Sequence, residues 1–377
     1  MVLHHSLQTI LSRTGSFPLH FAYSLLKSIA PRDAIIFDPF CGKGTTLLAA
    51  RMLGHRAYGL DVAPEAVICS NAKLASIDLQ SVTRYLTGLR LTPPCKPDVP
   101  HAIRTFYRRS TLNQILRIRS VLLNDIESKQ KSTKDNATFV LANLLGILHG
   151  HASYSLSISS AHAYSMSPEY VRRYALKNGL VPPHRNVVTC LLQKVFRSLK
   201  DTAPSVVKGC VKRGSVLNCT RIFPELKGNV DVILTSPPYF NSQTYPKDNW
   251  LRLWFLGYDH KALRSDYIET GSVSRYEVLM GNAFRQIAMM LKPGGVLVCV
   301  AGDVRHKHTL NGKKSVRTIN TAELIARICA SSAVGLRIEH MTRHGVRSSS
   351  RYFHALHQSN GHGSRPMIER VFIARKP

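Results

Sequence analysis

The sequence predicts an α/β fold, an open and mostly parallel sheet flanked by helices, with a mainly helical insertion. Three observations support this prediction. A strand, a glycine turn, a helix and a second strand follow one another over residues 35–61. A second apolar run, residues 231–234, ends in a polar and proline-rich loop. Between these two segments, residues 101–200 repeat apolar side chains at helical spacing, where a parallel sheet would need only a loop.

The first strand leads into a glycine turn with the run Asp38-Pro-Phe-Cys-Gly-Lys-Gly-Thr-Thr46. Gly42 and Gly44 allow a tight bend and let a ligand approach the backbone without obstruction by a Cβ atom. The next strand ends at Asp61, whose carboxylate suits the hydroxyls of a ribose. No P-loop is present, and Leu47 stands where a dinucleotide motif has its third glycine. The run therefore predicts a ligand of nucleoside type.

The second apolar run ends in Thr235-Ser236-Pro237-Pro238-Tyr239. Each proline has a fixed φ and no N–H to donate, so the loop is stiff. The carbonyl groups of Ser236 and Pro237 are then predicted to accept hydrogen bonds from a ligand. With the Tyr239 ring to stack on, this loop suits a flat substrate that carries an NH2 group. An ordinary turn that closes a strand is the alternative interpretation.

Together the two motifs resemble those of the amino-group DNA methyltransferases, which use S-adenosylmethionine (SAM). The Thr-Ser-Pro-Pro-Tyr form is similar to the cytosine-N4 branch, whereas adenine-N6 enzymes more often carry Asp-Pro-Pro-Tyr. Residues 16–21 resemble the N-terminal SAM-contacting motif of the family, and residues 211–217 resemble the strand with its acidic adenine contact. This chain departs from the family there, because Ser215 replaces the acid.

The resemblance implies a Rossmann-like class I SAM-dependent methyltransferase sheet, SAM as the methyl donor and double-stranded DNA with a flipped base as the substrate. It implies catalytic roles for Ser236, Pro237, Pro238 and Tyr239. The implied cofactor-binding residues are Phe17, Asp38, Phe40, Gly42, Gly44, Thr45, Asp61, Ser215 and Thr235.

The formal net charge of +29 and the pI of about 10.2 favour a polyanionic partner. The excess is uneven. Residues 101–230 carry 20 Lys and Arg against 6 Asp and Glu, and residues 300–377 carry 14 against 4. Aromatic and cationic residues alternate inside the first of these blocks, a mixture that suits phosphate contacts and base stacking. The alternative is that the tyrosines pack a helical core and the arginines face water. The candidate DNA-binding residues are Arg172, Arg173, Tyr174 and Arg351.

Three segments are predicted. Residues 1–90 form the N-terminal part of the SAM-binding domain and 91–204 a basic insertion for target recognition. Residues 205–377 form the C-terminal part, with the catalytic loop and a β-hairpin of residues 336–341 and 370–374. No signal peptide or transmembrane segment is apparent, which predicts a cytoplasmic protein without a membrane partner. The eight cysteines are scattered and the histidines lack ligand-like grouping, so no metal is expected.

Three other functions are compatible with these residues. Methylation of adenine N6 in DNA needs the same fold, and so does methylation of an RNA base such as guanine N2. A non-catalytic nucleic-acid-binding protein on a SAM scaffold would have a damaged glycine turn or catalytic loop, whereas both motifs read as intact. The sequence carries no signature of an oligomeric state or of a partner nuclease.

Overall fold

The computed structural model describes residues 3–13, 16–90, 99–159, 167–240, 245–268, 270–310, 313–345 and 368–377. Helices over these residues are α1 (Leu19–Ile29), α2 (Thr45–Met52), α3 (Pro64–Leu74), α4 (Leu79–Thr87), α5 (His101–Arg104), α6 (Arg109–Asp125), α7 (Lys131–Ile147), α8 (Pro168–Lys177), α9 (Val187–Ser198), α10 (Cys219–Ile222), α11 (Tyr245–Asp248), α12 (Trp250–Phe255), α13 (Val273–Met290) and α14 (Thr321–Ala330). The strands are β1 (Ile35–Asp38), β2 (Arg56–Asp61), β3 (Gly209–Arg213), β4 (Val230–Thr235), β5 (Leu291–Leu310), β6 (Lys313–Asn320), β7 (Arg337–Gly345) and β8 (Ile368–Arg375).

The chain divides into two compact units, each built from separate segments of sequence. The first comprises Met1–Ser28, Cys41–Arg213 and Thr244–Tyr267. The second comprises Ile29–Phe40, Gly214–Gln243 and Ile268–Pro377. The three segments predicted from the sequence stay a prediction.

The first unit joins the β2–β3 pair to the helical segment. Strands β2 and β3 pair in parallel, with Asp61 opposite Arg213. The second half of helix α7, from Ala137 to Ile147, is mostly apolar and buried. Its one buried amide, Asn143, donates to the carbonyl of Phe139 and accepts from Ser198 at 2.7 Å. The polar group is thus satisfied, which removes the cost of burying it.

The second unit contains a mixed sheet in the order β1-β4-β5-β8-β7. Strands β1, β4 and β5 are parallel, β8 runs antiparallel to β5, and β7 is antiparallel to β8. Residues of β4 and the core of β5 are buried in continuous apolar runs, as expected of strands covered on both faces. Strands β7 and β8, which include most of the residues predicted for the hairpin at 336–341 and 370–374, pair from Arg337 with Arg375 to Gly345 with Ile368. The fold of this chain is therefore α/β, with a mainly helical segment between β2 and β3, as the sequence predicted.

One element differs in detail from the sequence prediction. The strand expected over residues 211–217 ends at Arg213, and Val216–Asn218 form a short 3-10 helix instead. The Pro-Gly-Gly run at residues 293–295 lies inside β5, where the pairing with β4 shifts register. Gly294 adopts φ 74° there, and its N–H bonds to the carbonyl of Lys376 at 2.9 Å. Among the described helices, none has the length and apolar content needed to cross a bilayer.

Candidate active site

The carboxyl ends of β1 and β4 lie side by side, because the two strands are parallel neighbours. Asp38 ends β1 and Thr235 ends β4, and both side chains are buried. Thr235 Oγ1 donates to Asp38 Oδ1 at 2.6 Å, and the N–H of Phe40 donates to the same oxygen at 3.1 Å. The hydrogen bond therefore joins the first residue of the Thr-Ser-Pro-Pro-Tyr loop to the first residue of the Asp-Pro-Phe run.

The proline loop is supported by Tyr276 on α13. Its hydroxyl donates to the carbonyl of Pro238 at 2.8 Å, and its ring meets Phe240 edge to face with centroids 5.6 Å apart. Burial raises the pKa of Tyr276, so the phenol stays a donor at neutral pH. The hydrogen bond from Tyr276 therefore holds the main chain of the loop at Pro238.

The Tyr239 ring lies against Gly302 on β5. A Cβ atom at Gly302 would stand 2.9 Å from Tyr239 Cε2, closer than side-chain atoms pack. Tyr239 and Ser236 are both half-buried, so each keeps part of its surface open to a ligand. The absent side chain at Gly302 makes room for the ring in this orientation.

The glycine turn, in the first unit, is held by its neighbours. Gly44 adopts φ 74°, and a Cβ atom there would stand 2.6 Å from Ser70 Oγ. Ser70 in turn donates to the carbonyl of Gly42 at 2.8 Å. Gly42 adopts φ 49° and has open space where its Cβ would lie. Gly44 is therefore required by conformation and packing, and Gly42 by conformation alone.

Asp61 closes this turn from the end of β2. Its Oδ2 accepts from the N–H of Gly42 at 2.8 Å, and its Oδ1 accepts from the N–H of Ala63 at 2.9 Å. A carboxylate offers about four lone-pair sites, so two remain for a ligand. The half-buried Asp61 can thus shape the turn and accept from hydroxyl groups at the same time.

The segment around Phe17 is pinned at two points. Ser16 Oγ lies 2.9 Å from Thr45 Oγ1 at the start of α2. Arg13 Nη1 lies 2.6 Å from Glu65 Oε1, and both side chains are buried. Burial raises the pKa of Glu65 and the charge of Arg13 opposes that rise. Phe17 itself is half-buried.

Ser215 begins the 3-10 helix that follows β3. Its Oγ accepts from the N–H of Leu217 at 3.3 Å, which engages one of its two lone pairs. A role for Ser215 at the cofactor remains a prediction, as do the other cofactor and catalytic assignments.

The DNA-binding candidates that the structure describes lie on α8. Arg172 and Arg173 are exposed and share Glu169 at 3.3 and 3.8 Å. Tyr174 stacks on Tyr170 with centroids 6.0 Å apart. Arg351 lies outside the described residues. Over the described ranges, no group of His, Cys, Asp or Glu could hold a metal ion.

Four residues that support the proline loop, the glycine turn or the Phe17 segment were not found from the sequence. Tyr276 and Gly302 lie far along the chain from the loop they support, and neither has a local motif. Ser70 and Glu65 sit on α3 in an ordinary helical pattern. The supporting roles of these four residues are visible only in their contacts in the folded structure.

Comparison with known proteins finds DNA methyltransferases whose sequences are similar to this chain. A family model for DNA methylases matches residues 4–71. The type II methyltransferase M.BsoBI of Geobacillus stearothermophilus is 24% identical over 252 residues, 61% of this chain and 48% of its own. M.MvaI of Kocuria varians, also a type II methyltransferase, is 21% identical over 243 residues, 58% of this chain and 49% of its own. The chain thus spans about half the length of these relatives.

A solved SAM-dependent methyltransferase of Methanosarcina mazei is 9% identical, with a TM-score of 0.36 over 93% of this chain and 96% of that one. At that score the likeness supports no argument about function.

Proposed function

We propose that this chain, which resembles the amino-group DNA methyltransferases, methylates an exocyclic amine of a base in DNA. We propose further that the amine is N4 of cytosine. The observation that carries the proposal is the 2.6 Å hydrogen bond between Thr235 and Asp38. This bond joins the first residue of the Thr-Ser-Pro-Pro-Tyr loop to the first residue of the Asp-Pro-Phe run.

The residues of the glycine turn fit SAM as the methyl donor. The open space at Gly42 admits a ligand next to the backbone, and Asp61 keeps acceptor capacity for a ribose diol. When bound, SAM supplies an electrophilic methyl group on its sulfonium. The residues that would hold it are those of the turn, together with Phe17 on its pinned segment.

The proline loop supplies the acceptors for the amine. The lone pair of an exocyclic nitrogen is delocalised into the base, which makes it a poor nucleophile. Ser236 Oγ and the Pro237 carbonyl accept from its N–H groups and favour a pyramidal nitrogen. The Tyr239 ring stacks on the base, held by Gly302 behind it. Positioning of this kind, rather than a strong acid or base, lowers the barrier.

The choice of cytosine N4 rests on the Ser236-Pro237-Pro238-Tyr239 form of the loop. The choice of DNA rests on the family, on the type II methyltransferases among the relatives and on the net charge of +29. A base inside a duplex must leave the stack to reach Tyr239, at a cost of about a few kcal/mol. Contacts between basic side chains and phosphates offset that cost.

The proposal is tested with SAM that carries a tritiated methyl group and mixed genomic DNA, which is then digested to nucleosides. Label in N4-methylcytosine supports it. Label in N6-methyladenine overturns the choice of base, and label only in added tRNA or rRNA overturns the choice of DNA. If isothermal titration detects no binding of SAM, the proposed reaction is wrong, and the alternative is a non-catalytic nucleic-acid-binding protein on a SAM scaffold.

A matched pair of variants tests the loop itself. Ser236→Ala removes an acceptor and should lower kcat by about a hundredfold, similar to the loss of one oxyanion-hole donor. Ser28→Ala removes an exposed hydroxyl on α1 and should leave kcat unchanged. Equal rates for the two variants would exclude Ser236 from the reaction.

A further inference from the structure

Helix α8 and the turn after it carry cations and apolar side chains on one exposed stretch. Leu176 is 73% exposed and Val181 is 75% exposed, values high for large apolar residues so close in sequence. We call this stretch the α8 surface; its exposed members are Arg172, Arg173, Leu176, Lys177 and Val181.

The backbone under the α8 surface is fixed. Gly179 adopts φ 60° just after the helix, and the N–H of Leu180 bonds to the carbonyl of Ala175 at 2.9 Å. This pattern is the Schellman motif, which ends a helix rigidly. Two prolines, Pro182 and Pro183, follow and restrict the chain further. Leu176 and Val181 are therefore exposed to solvent on a backbone of restricted conformation.

The inner side of α8 explains why these residues point outward. Val171 and Ala175 are buried and form the inner face of α8, which belongs to the first unit. Tyr170 and Tyr174 stack on each other and are half-buried. The remaining positions have no place in the core, so their exposure follows from the helical period.

The charge of the α8 surface selects its partner. It holds three cations, and Glu169 is the one acid of α8, shared by Arg172 and Arg173. The shared carboxylate orders two guanidinium groups and leaves the surface net positive. A second copy of a chain of charge +29 would be repelled, whereas a polyanion would be attracted.

We infer that duplex DNA docks on the α8 surface, with Arg172, Arg173 and Lys177 on phosphates and with Leu176 and Val181 on base edges. The inference rests on the proposed function, because it takes DNA as the substrate. It goes further by assigning different roles to the two kinds of side chain. The cations supply affinity for DNA of any sequence, and the apolar pair contacts the bases.

The cations are tested by equilibrium binding to a fluorescein-labelled 30-base-pair duplex of mixed sequence, without SAM, over a range of salt. Arg172→Ala/Arg173→Ala should lower the slope of log K against log salt by about 2. The same relation predicts binding roughly fiftyfold weaker at 0.1 M salt. Alanine favours helix, so α8 is retained, which circular dichroism checks.

Arg221→Ala/Lys227→Ala is the matched control, since it removes two exposed cations, outside α8, that precede β4 in the sequence. This control should keep the wild-type slope. An unchanged slope in the α8 variant, or an equal fall in the control, would overturn the assignment of the phosphate contacts.

The apolar pair is tested with Leu176→Ser/Val181→Ser. Binding should weaken about tenfold with no change in salt slope, because an uncharged contact releases no counterions. Val206→Ser/Val278→Ser replaces two other exposed apolar residues and should bind as the wild type does. If the α8 variant keeps its DNA affinity but a wild-type dimer in sedimentation becomes a monomer, the surface binds a second copy and the inference is wrong.

Methyl transfer measured in the same samples separates the two proposals. A protein that transfers methyl groups to DNA while the α8 variants bind normally overturns only the docking surface. A protein that binds DNA through the α8 surface yet labels no base keeps the docking surface and overturns the proposed reaction.

Discussion

Removal of the hydroxyl of Thr235 tests the bond that joins the two motifs. Thr235→Val keeps the shape of the side chain and deletes only the donor to Asp38. Thr235 is 0% exposed and Asp38 is 3% exposed, so water cannot replace the lost partner. The carboxylate keeps the N–H of Phe40 at 3.1 Å but loses its shorter bond at 2.6 Å.

A hydrogen bond to a charged group contributes about 1.5–3 kcal/mol, so Thr235→Val should cost about 2 kcal/mol. That loss raises the unfolding constant by roughly thirtyfold. Thr321→Val is the matched control, because Thr321 is also 0% exposed but its Oγ1 has no hydrogen-bond partner among the described residues. Deleting this unpaired hydroxyl should be neutral or stabilising.

Urea unfolding followed by far-UV circular dichroism measures the difference. Tryptophan fluorescence would be the wrong probe, because Trp250 and Trp254 both lie in the first unit and Thr235 lies in the second. Methyl transfer should fall together with stability, since the same bond orients the catalytic loop. Equal unfolding midpoints for the two valine variants would refute the reasoning.

Three more results are expected. Gly44→Ala should lower stability and SAM affinity more than Gly54→Ala, since both glycines have positive φ but only the first would clash with a neighbour; urea midpoints and titration with SAM compare them. Tyr276→Phe deletes the donor to Pro238 and should lower kcat about tenfold with little change in KM for DNA, as steady-state kinetics would reveal. Burial lowers the pKa of Lys73 to about 8, so the unfolded chain holds this proton up to a higher pH than the folded one. Relative to Lys73→Met, the wild type should gain up to about 3 kcal/mol in urea unfolding as pH rises from about 8 to 10.5; a constant difference would exclude a depressed pKa.

Local signals in the sequence were enough to find the elements that bear the site. The apolar run before Thr235 and the paired glycines before α2 predicted β4 and the turn, because each is a contiguous pattern with a physical cause. The helical character of residues 101–200 was found for the same reason, since apolar side chains recur there at helical spacing. These features depend only on near neighbours in sequence.

The supports of the site depend on contacts between distant residues and left no such pattern. Nothing near Tyr276 predicts that its hydroxyl meets Pro238, and nothing near Gly302 predicts the ring of Tyr239. The segment Thr244–Tyr267 belongs to the first unit although its neighbours in sequence on both sides belong to the second. Arg252 partly explains why this segment belongs to the first unit. Its buried guanidinium donates hydrogen bonds to the carbonyls of Leu145 and Ser12, both in the first unit.

Ser215 and Asp61 show what a single departure from the family pattern does to the chemistry of the site. A carboxylate after β3 could accept from a ligand with about four lone-pair sites, whereas Ser215 Oγ has two lone pairs, one of which already accepts from Leu217 at 3.3 Å. Asp61 accepts hydrogen bonds from the N–H groups of Gly42 and Ala63, and about two of its four lone-pair sites remain for a ligand. Charge-assisted hydrogen bonds are about twice as strong as neutral ones. In the proposed function, cofactor affinity therefore depends on Asp61 more heavily here than in a relative with an acid at both positions.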